Sequence, residues 1–268
     1  MSRSDTLLLL DFDGTVAVGH GPVHAYARAA ASGLAPAAAT AFRAEVHAAV
    51  EALGDPAPAG RPAGHRAGRG RRSSDALLPL DGYDLVRELA ERHGVGPLAL
   101  SAAYLASRHA LGTDDAPVSA PRWLAAVLAE LRTEARVVLA TNAPDIRLAE
   151  TLADLGLTGL LDAVLTDVGK PAGMDRVLDR CGAAPGGPVR VLSIGDVWAN
   201  DLAPVAARGH ATALVSRRPP PEARPTWTVT ELPELYPALR DWVRDGGRTA
   251  LTHHDTPARA TARTTSEG

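Results

Sequence analysis

Short apolar runs bounded by polar turns recur along the chain, separated by longer stretches whose apolar positions repeat every three or four residues. The runs at 6–12, 136–140, 163–165, 189–194 and 211–215 have the length and the leucine- and valine-rich content of buried strands, and 226–229 is a further candidate. Between them, 121–133, 145–155, 174–180 and 201–208 carry helical periodicity. The last three are followed by Gly156, Gly182 and Gly209, the residue type that closes a helix in a left-handed turn. Strands alternating with helices predict an α/β fold with a doubly wound, mostly parallel, Rossmann-like sheet.

The alternation is interrupted once. Residues 17–118 hold helical patterns at 23–53 (broken at Pro36), 83–93 and 98–111, and no convincing strand. The expected organisation is therefore a catalytic core of 1–16 and 119–248 with an inserted all-helical domain at 17–118. Inside the insertion, 54–74 is rich in Pro, Gly and Arg without periodicity and is expected to be a flexible loop. The Thr-, Ala- and Arg-rich stretch 249–268 is expected to be a disordered tail.

Composition narrows the class. The chain has 268 residues, 46% of them hydrophobic, enough for a substantial core. A net charge of -3 gives no strong field to recruit nucleic acid or an anionic membrane. No apolar stretch is long enough to span a bilayer. The first five residues do not read as a signal peptide, and the single cysteine, Cys181, cannot form an internal disulfide. A reducing, cytoplasmic setting is the expectation. Lys170 is the only lysine, every other Lys/Arg position being arginine. Where composition drives lysine to arginine, a retained lysine marks a place that needs a compact ammonium rather than a planar guanidinium.

The expected strand ends carry the chemistry. The first, after Leu7 to Leu10, delivers Asp11-Phe12-Asp13-Gly14-Thr15, in which the glycine allows a tight turn with backbone N–H groups facing a ligand. The second delivers Thr141 and Asn142, the third leads to Lys170-Pro171, and the fourth delivers Gly195-Asp196 and then Asp201. In a parallel sheet these ends share one edge, beyond which ligands bind. Carboxylates crowded there need a cation, and an all-oxygen set favours Mg²⁺. A carboxylate can attack phosphorus, while a hydroxyl and an ammonium cover the phosphoryl oxygens.

Asp-x-Asp-Gly-Thr, followed in order by Thr141, Lys170 and Asp196, resembles the motif set of the haloacid dehalogenase (HAD) superfamily, and the helical insertion resembles the cap of one of its subgroups, with phosphoglycolate phosphatase the best fit. The resemblance implies a phosphatase acting on a small phosphorylated metabolite through an aspartyl phosphate. It makes Asp11 the nucleophile and a Mg²⁺ ligand. It makes Asp13 the general acid–base, with its backbone carbonyl on the metal. Thr141, the Asn142 backbone N–H and Gly14 would hold the phosphoryl group, Lys170 would neutralise it, Asp196 would complete the metal site, and Asp201 would orient Lys170 or a metal-bound water.

Within that resemblance, Asp13 argues against dehalogenation, which needs no proton for the leaving halide. A cap without lysine argues against Schiff-base chemistry. A phosphomutase, or a non-catalytic phospho-binding domain, is the alternative. The sequence 17–22, Ala-Val-Gly-His-Gly-Pro, departs from the usual pattern after the first motif and leaves the substrate open. Arg61, Arg66, Arg69, Arg71 and Arg72 are read as a solvated loop, His20 and His24 as hinge residues, His253 and His254 as tail residues, and Cys181 as structural.

Overall fold

The computed structural model describes residues 3–54 and 81–245. Among them, six strands form one sheet: β1 (Thr6–Leu10), β2 (Arg136–Ala140), β3 (Ala163–Leu165), β4 (Arg190–Gly195), β5 (Ala211–Val215) and β6 (Trp227–Val229). Their order is β3-β2-β1-β4-β5-β6 and every pairing is parallel. The chain leaves β1 toward β2 and β3, then returns to β4 on the other side of β1. That reversal opens a crevice at the carboxyl ends of β1 and β4.

Every residue of β1 is buried, as a central parallel strand requires. Leu8 and Leu10 face a cluster with Val137, Leu139, Leu128 and Trp242, while Leu7 and Leu9 face Val138, Met174, Leu178 and Val205 on the opposite side. Each fully buried leucine is worth roughly 1.5–3 kcal/mol. The register Leu10↔Ile194 and Leu10↔Leu139 fixes which residues emerge at the strand ends.

The helices after the insertion are α5 (Leu124–Leu131), α6 (Leu148–Asp154), α7 (Met174–Arg180), α8 (Ala203–Ala207) and α9 (Tyr236–Arg244). Three depart from expectation. The helix expected at 121–133 starts after Trp123, and that expected at 145–155 starts after Arg147; both residues adopt a positive φ, +67° and +53°, which no helix accommodates. The helix expected at 201–208 begins instead as a π-helical turn, Trp198–Leu202, with Asp201 inside it.

The insertion contributes α1 (Gly21–Ala30), α2 (Pro36–Gly54), α3 (Gly82–Arg92) and α4 (Pro97–His109). The break expected at Pro36 is present, between the end of α1 at Ala30 and the start of α2 at Pro36. Pro36 opens α2, where its missing N–H costs nothing, after an interruption at 31–35. These helices bury their own cluster, with Tyr26, Phe42, Val46, Val50, Val86 and Leu89 at its centre. Two linkers join them to the sheet and meet in an antiparallel bridge, Val18↔Ser119. The expected flexible loop, apart from Gly54, and the expected tail lie outside the described residues. Among the described residues no helix is long and apolar enough to cross a membrane.

Candidate active site

Asp11 follows β1 directly, its N–H still bonded to the Ile194 carbonyl at 2.9 Å. The chain then folds tightly: the Phe12 carbonyl accepts from the N–H groups of Val16 (2.9 Å) and Ala17 (2.8 Å). Gly14 sits at φ +83°. A Cβ there would overlap the Asp196 carboxylate, so the glycine serves both the left-handed turn and the close approach of Asp196. Its N–H donates to the Ala17 carbonyl at 2.9 Å, so it is committed to the turn and is not the free donor expected from the sequence.

Asp196 and Asp201 come from the end of β4. Gly195 lies so close to Asp201 that any side chain would displace it. Asp201 is fixed from three sides: its Oδ2 accepts the Val197 N–H at 3.0 Å, its carbonyl accepts the Ser193 hydroxyl at 2.9 Å, and its Oδ1 accepts Lys170 Nζ at 2.8 Å. Lys170 Nζ also donates to Asp11 Oδ1 at 2.6 Å. One ammonium thus bridges carboxylates from the ends of β1 and β4.

The loop from β3 carries Lys170, and Asn142 holds that loop. Asn142 Oδ1 accepts the Lys170 N–H at 2.6 Å, and its Nδ2 donates to the Lys170 carbonyl at 3.3 Å. This side-chain role was not read from the sequence, which gave Asn142 only a backbone N–H. Thr141 is buried, and its hydroxyl oxygen accepts the Ala143 N–H at 3.0 Å. Its own hydroxyl hydrogen stays available.

The electrostatics are those of buried carboxylates crowded around one ammonium. Burial, followed by repulsion from Asp201, raises the Asp11 carboxyl to about 7. Burial and then Asp11 push Asp196 well above the usual carboxylate range. Burial alone would lower the Lys170 ammonium, yet Asp11 and Asp201 outweigh it and hold the group raised and charged. Carboxylate oxygens of Asp11, Asp196 and Asp201 lie within 4.8 Å of one another. That hard, oxygen-only set fits a divalent cation such as Mg²⁺.

Asp13 points toward the inserted helices, and there the sequence reading missed two residues. Arg108 Nη1, on α4, donates to Asp13 Oδ1 at 2.9 Å and Oδ2 at 3.2 Å, and to the Tyr83 hydroxyl at 3.0 Å. Tyr83, on α3, donates to Asp13 Oδ1 at 3.3 Å. Arg108 is 0% exposed, lies over the Phe12 ring, and leaves its Nε and Nη2 without a protein partner. Tyr83 packs edge-on against Tyr104, and both contact Tyr26. A signal existed: Leu100, Ala103, Ser107 and Leu111 form the buried stripe of this region, and Arg108 sits on it. A charge on an apolar stripe needs a partner across the interface. His24 instead neighbours His47 and His20, at ring-centroid distances of 5.4 and 6.4 Å. Cys181 is buried at the end of α7, as a structural residue would be. Arg61 to Arg72, His253 and His254 lie outside the described residues.

Fold and site together define a doubly wound α/β protein with an acidic, lysine-bridged site at its topological switch point. The chain belongs to the haloacid dehalogenase-like hydrolases, whose family profile matches residues 6–209. Solved structures show the same fold. The chain resembles the candidate HAD-hydrolase YfnB of Bacillus subtilis, described in a magnesium-bound form (TM-score 0.53, 17% identity, 88% of this chain and 98% of that one). It also resembles a candidate phosphatase of Clostridium difficile (TM-score 0.56, 13% identity, 89% and 99%) and the L-2-haloacid dehalogenase RSc1362 (TM-score 0.51, 18% identity, 90% and 100%). No curated protein matches the chain in sequence.

Proposed function

We propose that this chain is a Mg²⁺-dependent hydrolase of small phosphomonoesters that works through an aspartyl phosphate on Asp11, with the inserted helices acting as its cap. The supporting observation is the single ammonium of Lys170 bridging Asp11 and Asp201, with Asp13 two residues beyond Asp11. Asp11 and Asp196 are the carboxylates that would hold the cation, joined by the Asp13 main-chain carbonyl in the manner the family resemblance implies. When bound, Mg²⁺ supplies charge that offsets the crowded carboxylates and the phosphoryl oxygens.

In this reading an Asp11 oxygen attacks phosphorus while the phosphorus–oxygen bond to the alcohol breaks. Asp13 gives its proton to the departing oxygen. Asp13, now a carboxylate, takes a proton from water, whose oxygen attacks the phosphorus of the aspartyl phosphate. The bond to Asp11 breaks, and phosphate leaves. Lys170 keeps Asp11 oriented and spreads the charge of the transferring group, Asn142 holds the Lys170 backbone, and the Thr141 hydroxyl donates to a phosphoryl oxygen. Arg108 and Tyr83 fix Asp13 beside the leaving group. Asp13 favours this reading over dehalogenation, since halide departs without a proton.

The test is Mg²⁺-dependent phosphate release from p-nitrophenyl phosphate and a panel of phosphate esters. Turnover should need Mg²⁺ and vanish in Asp11→Asn. Wild-type turnover no higher than that of Asp11→Asn across the panel would falsify the assignment.

A further inference from the structure

The insertion gathers a second set of metal-ligating side chains on α1 and α2. His24 stands on α1, and His47 and Glu51 stand four residues apart on α2. Residues at i and i+4 project from the same side of a helix, so His47 and Glu51 approach His24 together. One ligand atom from each lies within 4.8 Å of the other two. The backbone beneath is fixed: Val23 and Ala27 beside His24, and Val46 and Val50 beside His47 and Glu51, are buried in the insertion's own cluster. The three side chains are partly or fully exposed. Among the described residues no side-chain hydrogen bond or ion pair engages any of them. Three donors therefore converge without using one another.

We propose that His24, His47 and Glu51 form a binding site for a late divalent transition metal, Zn²⁺ foremost, separate from the acidic site at the sheet edge. The donor chemistry selects the metal. Two imidazoles with one carboxylate suit Zn²⁺, whereas the oxygen-only set of Asp11 and Asp196 suits Mg²⁺. Ligands around Zn²⁺ at its usual bond lengths stand about 3.4 Å apart, so exposed side chains need only a small rotamer adjustment to close on it. The fourth position falls to water. A bound ion would tie α1 to α2 just beyond the linker at 17–20, where Gly21 packs against the Pro117 backbone of the returning linker.

The full-length protein, stripped with EDTA and dialysed, is titrated with Zn²⁺ by calorimetry in excess Mg²⁺, which occupies the acidic site. One equivalent should bind with micromolar or tighter affinity, and Mg²⁺ alone should not compete. His47→Ala and Glu51→Ala, both exposed and outside the catalytic machinery, should each weaken Zn²⁺ binding by about tenfold or more. A wild type that takes up no Zn²⁺, or variants that bind it as the wild type does, overturns the proposal. Binding is read directly, so the result stands apart from whether the enzyme hydrolyses phosphate esters.

Discussion

Arg108 and Asp13, 95 residues apart in sequence, share two hydrogen bonds of 2.9 and 3.2 Å through one guanidinium nitrogen. The arginine is wholly buried and the carboxylate is not. Removing the acid therefore strands a charge, whereas removing the base frees a side chain that still reaches solvent. Asp13→Ala should lower stability by about 2–4 kcal/mol in urea denaturation. Asp13→Asn, which keeps an acceptor oxygen, should cost less. Arg108→Met should leave stability closer to wild type while lowering kcat for phosphate-ester hydrolysis by about tenfold or more, because Asp13 loses its orientation. Equal destabilisation by Asp13→Ala and Arg108→Met would sink this account.

Asn142 acts on Lys170 through two backbone hydrogen bonds of 2.6 and 3.3 Å. Asn142→Ala removes both and lets the lysine loop drift from Asp11. Enzymes lose activity steeply when a charged group is displaced by about 1 Å. The expected result is a fall in kcat of about ten- to a hundredfold, with KM changed far less. A change in KM alone would place Asn142 on the substrate instead.

The two residue pairs also mark how much could be read from the chain. Asp11, Thr141, Lys170, Asp196 and Asp201 were legible as a converging set because each follows an apolar run, and parallel strands deliver their ends to one edge regardless of helix detail. The strands at 136–140, 163–165 and 211–215 carry the expected boundaries for the same reason. Arg108 was not legible as Asp13's partner, because helix-to-sheet docking depends on tertiary packing rather than on local period. The early helix starts were misread because Trp123 and Arg147 adopt positive φ without the glycine or asparagine that announces it. The π-helical turn around Asp201 has no periodic signature at all, and it is what carries the Asp201 carboxylate to Lys170.

Stability should depend on pH in an unusual direction. Asp11 is raised to about 7 and Asp196 is raised well above its ordinary value, in both cases first by burial. An acid whose folded pKa exceeds its unfolded one binds more protons when folded, so stability falls as pH rises between those values. For Asp11 the window runs from the ordinary carboxylate value, 3.8, to about 7. Metal-free protein should therefore lose thermal stability from weakly acidic to neutral pH, measured by differential scanning fluorimetry in EDTA. Mg²⁺ should flatten the slope by stabilising the ionised carboxylates. In Asp11→Asn the slope should shrink even without the cation. A melting temperature that rises through this window in EDTA contradicts the cause assigned to the shifts.

Gly14 couples the first motif to Asp196 by space alone. Its φ of +83° is costly for any residue with a Cβ, and that Cβ would overlap the Asp196 carboxylate. Gly14→Ala should therefore act twice. Backbone strain should lower stability by about 1–2 kcal/mol. The obstructing atom is the end of a side chain, so Asp196 can swing aside and the fold survives, but Asp196 then leaves the position from which it would hold Mg²⁺. The Mg²⁺ concentration for half-maximal activity should rise by about tenfold or more, and kcat at saturating Mg²⁺ should recover most of its value. Asp196→Asn tests the assignment from the other side: it removes the charge without the strain, so it should shift the Mg²⁺ requirement while sparing backbone stability. If Gly14→Ala loses stability but keeps the wild-type Mg²⁺ requirement, Asp196 is not the residue that the glycine makes room for.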